Sequence, residues 1–338
     1  MNKHKIYHEL NNKLSYLSDN EIQKMIINNK IDKYKKWGLN KIITFNDHKI
    51  FIKAIPLSKL FYDNPFDTSN LYDIPAYYNF GFGSAGINPY RELLLHIKTT
   101  NYILSNKCDF FPLLYHYRII YDDNNENIYS GLDRLDRWDN NENIKIYLKD
   151  RIKSKYKIVL FLEYIPYVAY EYLENNYNFI SNFYEQSNKI IKFCNKNGLL
   201  HNDAHLGNFI IDENKKVYLT DFGLSLDEEF KLDKYEKKFM KYNHKLDIYY
   251  IKKNIINDYL ENCYRNKIID KYKLNELNGL ETDKYLLYNI DIIKNDINIS
   301  KFQIDFINKN KSFFIKYNIW KYNFIDNNNK DKNYIIKL

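Results

Sequence analysis

His201, Asp203 and Asn208 stand just ahead of two short apolar runs, and Asp221-Phe222-Gly223 stands just after them. The runs, Phe209–Ile211 and Val217–Leu219, flank Asp212-Glu213-Asn214, the pattern of a β-hairpin with a polar turn. A hairpin folds the chain back on itself, so both carboxylate-bearing loops reach the same end of a small sheet. There one carboxylate can take a proton from an attacking hydroxyl. The other, with the Asn208 amide, offers the hard oxygen donors that Mg²⁺ prefers while it bridges nucleotide phosphates. The plain alternative is a pair of ordinary turn aspartates.

The elements that must position these groups begin near the N-terminus. Residues 1–36 read as a helical extension, with Ser18-Asp19-Asn20-Glu21 as a capping box and Ile22, Met25 and Ile26 on one face. From Gly38 the period changes to that of strands. Lys41–Phe45 and Lys49–Ile55 are β-rich and are separated by Asn46-Asp47-His48. Lys53 sits among apolar residues in the second run, where an ammonium is costly to bury unless a negative group pairs with it. It is either such a buried cation or an edge-strand lysine facing water, as Lys49 would be.

Gly81, Gly83 and Gly86 spell G-x-G-x-x-G. This is either a phosphate cradle at a helix N-terminus or a close backbone turn into the next helix. That helix has Asn88 as cap and Pro89 at its first position, with Leu93, Leu94, Ile97 and Leu104 as its apolar face. Phe110–Ile120 and Lys157–Leu162 read as further strands, with the Asn-rich stretch 122–150 as loop between them. Beyond Tyr167 helix dominates. Phe183, Ile190, Ile191 and Cys194 recur at helical spacing, Gly198 is the stop, and helix is expected again from Asp227 to Tyr250.

His-x-Asp-x-x-x-x-Asn followed by Asp-Phe-Gly resembles the catalytic and metal loops of the protein-kinase-like superfamily. Residues 71–118, with Ile-Pro-x-Tyr-Tyr, Gly-x-Gly-Ser-Ala-Gly, Arg-Glu-Leu and Phe-Pro-Leu-Leu-Tyr-His, look like a group of poorly characterised bacterial kinase-like proteins. The resemblance covers about residues 37–225. It implies an α+β, two-lobed kinase fold, with an N-lobe at 37–164 and a C-lobe at 165–338. It also implies ATP and Mg²⁺ as cofactors, with Lys53 on the phosphates and Glu92 holding it. Asp203 would be the base, Asn208 and Asp221 the metal ligands, and His201 a brace for the loop. The backbone of Glu163, Tyr164 and Ile165 would meet adenine. Glu92 has a second reading, as an acid favourably placed at a helix N-terminus.

Three departures bear on the acceptor. The glycine motif follows the lysine strand instead of preceding it. His205 stands where protein kinases usually place a lysine, as in aminoglycoside- and choline-kinase-like enzymes. Ala-Pro-Glu is missing. The expected activity is phosphoryl transfer to a hydroxyl, leaning to protein Ser/Thr, with a small-molecule acceptor as the alternative and a nucleotide-binding scaffold as the reading from another class.

With 338 residues the chain can bury a large core. The formal charge of +8 comes from lysines dispersed among 43 acids, which reads as a solvated surface and not as a nucleic-acid patch. The abundance of Lys, Asn, Ile and Tyr (34 of the last) fits an AT-rich coding sequence. Cys108, Cys194 and Cys263 have no zinc spacing and no disulfide pattern, which fits a reducing compartment. No signal peptide and no apolar run near the ~18 residues of a membrane span is seen. A cytoplasmic protein, or one in a host cytosol, without a membrane partner is expected.

Overall fold

The capping box at Ser18 opens the second of two N-terminal helices, Lys3–Ser15 (α1) and Asp19–Asn28 (α2). Glu21 Oε2 accepts from the Ser18 amide at 2.7 Å, and Ser18 Oγ accepts in return from the Glu21 amide at 3.3 Å. These helices belong to a computed structural model that describes residues 3–28, 35–36, 38–79, 86, 88–122, 130–248 and 250–252.

The next elements are Lys35–Lys36 (β1), Gly38–Phe45 (β2), His48–Leu57 (β3), Lys59–Asp63 (α3), Pro89–Leu104 (α4), Leu114–Tyr121 (β4), Glu142–Ile152 (α5) and Tyr156–Glu163 (β5). The strands form one antiparallel sheet in the order β1-β2-β3-β5-β4. Asn46 and Asp47 turn β2 into β3 with φ of 51° and 61°, a left-handed pair that Asn and Asp adopt more readily than other side chains. Under the sheet lies an aromatic-rich core in which Phe61, Tyr90, Leu93, Trp138, Ile144, Ile158 and Leu160 are almost fully buried. Each such side chain contributes about 1.5–3 kcal/mol of burial.

Tyr167–Val168 (β6), Ala169–Asn175 (α6), Ile180–Lys196 (α7), Leu199–Leu200 (β7) and Phe209–Ile211 (β8) follow. β6 pairs antiparallel with β8, and Phe183 of α7 packs edge-on against Phe209 of β8. Gly198 has φ of 71°, so the glycine ends α7 where an L side chain would be strained. Cys194 is a buried core residue of that helix. Val217–Leu219 (β9), Leu226–Asp227 (β10) and Lys234–Tyr242 (α8) come next. In the turn between β8 and β9 the Asp212 amide donates to Lys216 O at 3.0 Å, and Asp212 Oδ1 accepts from the Asn214 and Lys216 amides.

The chain divides into two compact units. One is Met1–Pro166 with Asp212–Asp233, and the other is Tyr167–Ile211 with Lys234–Leu338. The first carries the five-stranded sheet and the second is mainly helical among its described residues. This is an α+β chain, compatible with a two-lobed kinase-like fold.

Four expectations need correction. The stretch 122–150 is not all loop: α5 starts within it, because Asn141 caps the Ile144 amide and Ile144, Tyr147 and Leu148 bury one face. The strand expected from Phe110 begins at Leu114, since Pro112 brings no amide to a ladder. α4 is buried on more than one side. Glu92, His96, Thr99 and Ile103 are buried along with Leu93, whereas Leu94 and Ile97 are only half-buried. The helix expected from Asp227 begins at Lys234, because β10 and a folded loop come first.

That loop is tied to the 67–69 turn, which titrates. The Ser69 amide and hydroxyl donate to Asp67 Oδ1 at 2.9 and 2.7 Å, and Lys231 lies 3.0 Å from Oδ2. The amide bond first, then the hydroxyl, holds the Asp67 carboxyl down at about 2 from an ordinary 3.8. A depressed carboxyl stabilises the fold above its unfolded pKa, and the contribution fades as pH falls from 3.8 towards 2. In urea titrations, Asp67→Ala should therefore be less stable than wild type at pH 5.5, with the gap narrowing by pH 2.5. A gap independent of pH would show that the charge contributes nothing.

Candidate active site

Strand alternation sets the first cluster. Lys53 lies on the half-buried face of β3 from which Phe51 and Ile55 pack against the aromatic core, while Ile50, Ile52, Ala54 and Pro56 are buried on the opposite face. It pairs in register with Asn40 of β2 and Leu160 of β5, so it lies on an interior strand and not at an edge. Its Nζ is 2.5 Å from Glu92 Oε1 and 2.9 Å from Asp221 Oδ1. Burial works to lower the pKa of Lys53, but the carboxylates of Asp221 and Glu92 outweigh it and leave the ammonium held above its ordinary value.

Glu92 comes from the first turn of α4, where the Asn88 side chain accepts the Tyr90 amide at 2.9 Å and Pro89 sits at the first position. Asp221 is the first residue of Asp-Phe-Gly and has φ of 64°. Phe222 is fully buried, with its ring 4.9 Å from that of His96 and 6.1 Å from that of Phe111. A Cβ on Gly223 would sit 3.4 Å from Glu92 Oε2, an ordinary contact distance, so the backbone of this loop runs close beside the glutamate.

The second cluster is the loop from His201 to Asn208. Asn208 Nδ2 donates to the Asp203 carbonyl at 2.8 Å and to Asp203 Oδ2 at 3.0 Å. His205 Nε2 lies 3.6 Å from the same Oδ2, and His205 Nδ1 accepts the Gly207 amide at 2.9 Å. That bond requires Nδ1 to be unprotonated, so the neutral ring carries its proton on Nε2, towards Asp203. Gly207 is obligatory for the arrangement: a Cβ there would sit 2.7 Å from His205 Cε1. His201 is fully buried, and the loop behind it hangs on one carboxylate. Asp247 accepts the His201 amide through Oδ2 and the Asn202 amide through Oδ1, each at 2.7 Å. Burial raises the Asp247 carboxyl from its ordinary value, while the His201 side chain and the two amides oppose that shift.

Of the residues singled out in the sequence, the structure brings together Lys53, Glu92 and Asp221 in one cluster and Asp203, His205 and Asn208 in the other. Gly81 and Gly83 lie outside the described residues. Gly86 has φ of 65°, and among the described residues a Cβ there would lie 3.9 Å from the Tyr147 hydroxyl. The Glu163 amide is committed to Leu113 O at 2.8 Å, and its carboxylate to Lys3 at 2.8 Å. Tyr164 has Lys49 Nζ 5.5 Å from its ring centroid, and Ile165 is half-buried.

Asp247 and His96 were not singled out. Asp247 stands alone among Ile, Tyr and Lys residues, and only its depth and two backbone bonds reveal its role. His96 carried a usable signal, since it follows Glu92 by one helical turn and lies 3.8 Å from it.

The fold is compatible with a kinase-like chain. Residues 154–255 match the family model of the ABC1 atypical kinase-like domain. NUAK family SNF1-like kinase 1 of Mus musculus is 32% identical over 87 residues, which is 24% of this chain and 13% of that protein. The Carbon catabolite-derepressing protein kinase of Saccharomyces cerevisiae is 30% identical over 86 residues, again 24% of this chain and 13% of the relative. The chain thus aligns with only a small part of each. These similarities agree with membership of the protein-kinase-like superfamily. Among the described residues no helix is long and apolar enough to cross a membrane.

Proposed function

We propose that the chain is an ATP- and Mg²⁺-dependent phosphotransferase that moves the γ-phosphoryl group to a hydroxyl. The observation that carries this reading is the lysine held at once by two carboxylates, with Lys53 Nζ 2.5 Å from Glu92 and 2.9 Å from Asp221. An ammonium fixed in that way is positioned to neutralise phosphate oxygens without having to find its orientation during the reaction.

Asp203 is the base. Its carboxylate is steadied by the Asn208 amide and faced by His205 Nε2, which keeps one oxygen oriented while the acceptor hydroxyl approaches. The acceptor oxygen forms its bond to the γ-phosphorus as the bond from that phosphorus to the β,γ-bridging oxygen breaks. ADP leaves with the electron pair, and the hydroxyl proton passes to Asp203. No raised pKa is needed, since the carboxylate takes the proton late.

Asp221 and Asn208 suit a hard cation. Asp221 has a half-exposed carboxylate with Oδ1 on Lys53, and Asn208, whose amide nitrogen is committed to Asp203, keeps its oxygen for another ligand. A magnesium ion at such donors would supply charge neutralisation at the phosphates. Adenine recognition would fall to the Glu163 carbonyl and the Tyr164 and Ile165 backbone groups, since the Glu163 amide is spent on Leu113.

The acceptor is first a protein Ser or Thr, the reading favoured by the similarity to protein kinases. His205 favours a second, a small hydroxylated molecule. The test uses labelled ATP and Mg²⁺ with the pure chain alone, then with a protein extract, then with a small-molecule extract of the same cells. Label on protein Ser or Thr that disappears with Asp203→Ala supports the first reading. Label confined to small molecules establishes the second. Unconsumed ATP in all three arms would leave a nucleotide-binding scaffold.

A further inference from the structure

Arg91, Glu92, His96 and Lys98 cover about two turns of α4, and each is met by a residue of the segment that follows Thr220. Phe222 packs edge-on against His96, and Gly223 closes on Glu92. Lys98 Nζ lies 2.9 Å from both Oδ1 and Oδ2 of Asp227, a side chain only 1% exposed. The Arg91 guanidinium stands 5.6 Å from the centre of the buried Phe230 ring, while Arg91 Nε donates to Thr68 O at 2.8 Å. The Lys231 amide donates to Thr68 Oγ1 at 2.8 Å, and its ammonium reaches Asp67. Between these anchors the segment closes on itself: the Ser225 amide bonds Phe222 O, the Glu229 amide bonds Asp227 Oδ1, and the Phe230 amide bonds Asp227 O, each at 3.0 Å.

We propose that Leu224–Asp233 is a fixed clasp on α4, and that Lys98 and Asp227 are positioning residues that keep Glu92 on Lys53. Swinging α4 away would break contacts at the start, middle and later turns of the helix together. It would also strand the Asp227 carboxylate in the interior, where an unpaired charge is strongly disfavoured. The segment holds one side-chain hydroxyl, Ser225, and it is 1% exposed. Asp227 already supplies the fixed negative charge that a phosphorylated loop would otherwise bring to a helix lysine. The chain is therefore built into the Lys53–Glu92 paired state and needs no modification of this segment to reach it.

The catalytic consequence rests on the phosphotransferase reading, but the clasp can be tested apart from it. Amide hydrogen exchange of α4 and turnover are measured on phosphatase-treated wild type, Asp227→Asn, Lys98→Met, the double variant and Thr68→Val. The last is mild enough to keep the test open if the charge variants fail to fold. Asp227→Asn and Lys98→Met should each speed α4 exchange at least tenfold and lower kcat at least tenfold, with KM for ATP within about threefold of wild type. The double variant should cost less than the two singles combined. Thr68→Val should speed exchange in Leu224–Asp233 and in the first turns of α4. Unchanged α4 exchange in the folded variants would overturn the clasp, as would wild-type turnover that collapses on phosphatase treatment. A wild type without turnover but with the exchange changes would sink the phosphotransferase reading and leave the clasp standing.

Discussion

Asp221→Asn should lower ATP turnover by about 100-fold or more, while the chain stays folded. Asparagine has the shape of aspartate and tolerates the left-handed backbone at this position, φ of 64°. The substitution therefore removes charge and little else. Two functions go with that charge. Lys53 keeps only Glu92 as a carboxylate partner, and the oxygen assigned to the metal loses its negative charge. Thermal unfolding of the variant should remain cooperative, and the loss should appear in kcat as well as in kcat/KM. Turnover equal to wild type would remove the catalytic claim.

Asp247→Ala should be a costly single change for the loop that carries Asp203. Two buried amides, those of His201 and Asn202, would lose their acceptor at once, at a cost of about 3 kcal/mol. Asn202 already holds a left-handed backbone, with φ of 68°, and its amide bond to Asp247 helps keep it there. Without that bond the next residue, Asp203, loses its orientation, so turnover should fall at least tenfold beyond what the unfolded fraction explains. Urea unfolding with turnover of the folded protein measures both. A stability change under about 0.5 kcal/mol, the ordinary range of surface substitutions, would show that the amides find another partner.

The parts of this fold that could be read in advance are those governed by neighbouring residues. Ser18 with Glu21, Asn88 with Pro89, and Gly198 act within one or two turns of their own position, and each behaves in the structure as local chemistry dictates. The Asn-rich stretch before β5 misled for the same reason: asparagine favours turns locally, yet Ile144, Tyr147 and Leu148 found a core to bury against, and tertiary packing prevailed. Lys53 shows the limit most clearly. An ammonium between apolar residues has two readings until β5 and β2 are placed on either side of its strand. Lys98 and Asp227 lie outside local reasoning altogether, since the first looks like a solvated helix lysine and the second like an acid before a helix. Only the course of the chain after Gly223 brings them together.

The return of Asp212–Asp233 to the sheet-bearing unit has a consequence for synthesis. Lys53 and its partner Asp221 are separated by 168 residues. At about 5–20 residues per second on a ribosome, roughly 8–34 s pass between the making of one and the other. Through that interval β3 can pair with β2, and later with β5, but the lysine has Glu92 as its only partner from the cluster and α4 lacks the segment that fastens it. A nascent chain halted before residue 212 would therefore hold a sheet with an unfinished charge cluster. The unit becomes complete only when a stretch from the far side of the second unit's first half has emerged, so the elongation rate and the closing of this cluster are bound to the same clock.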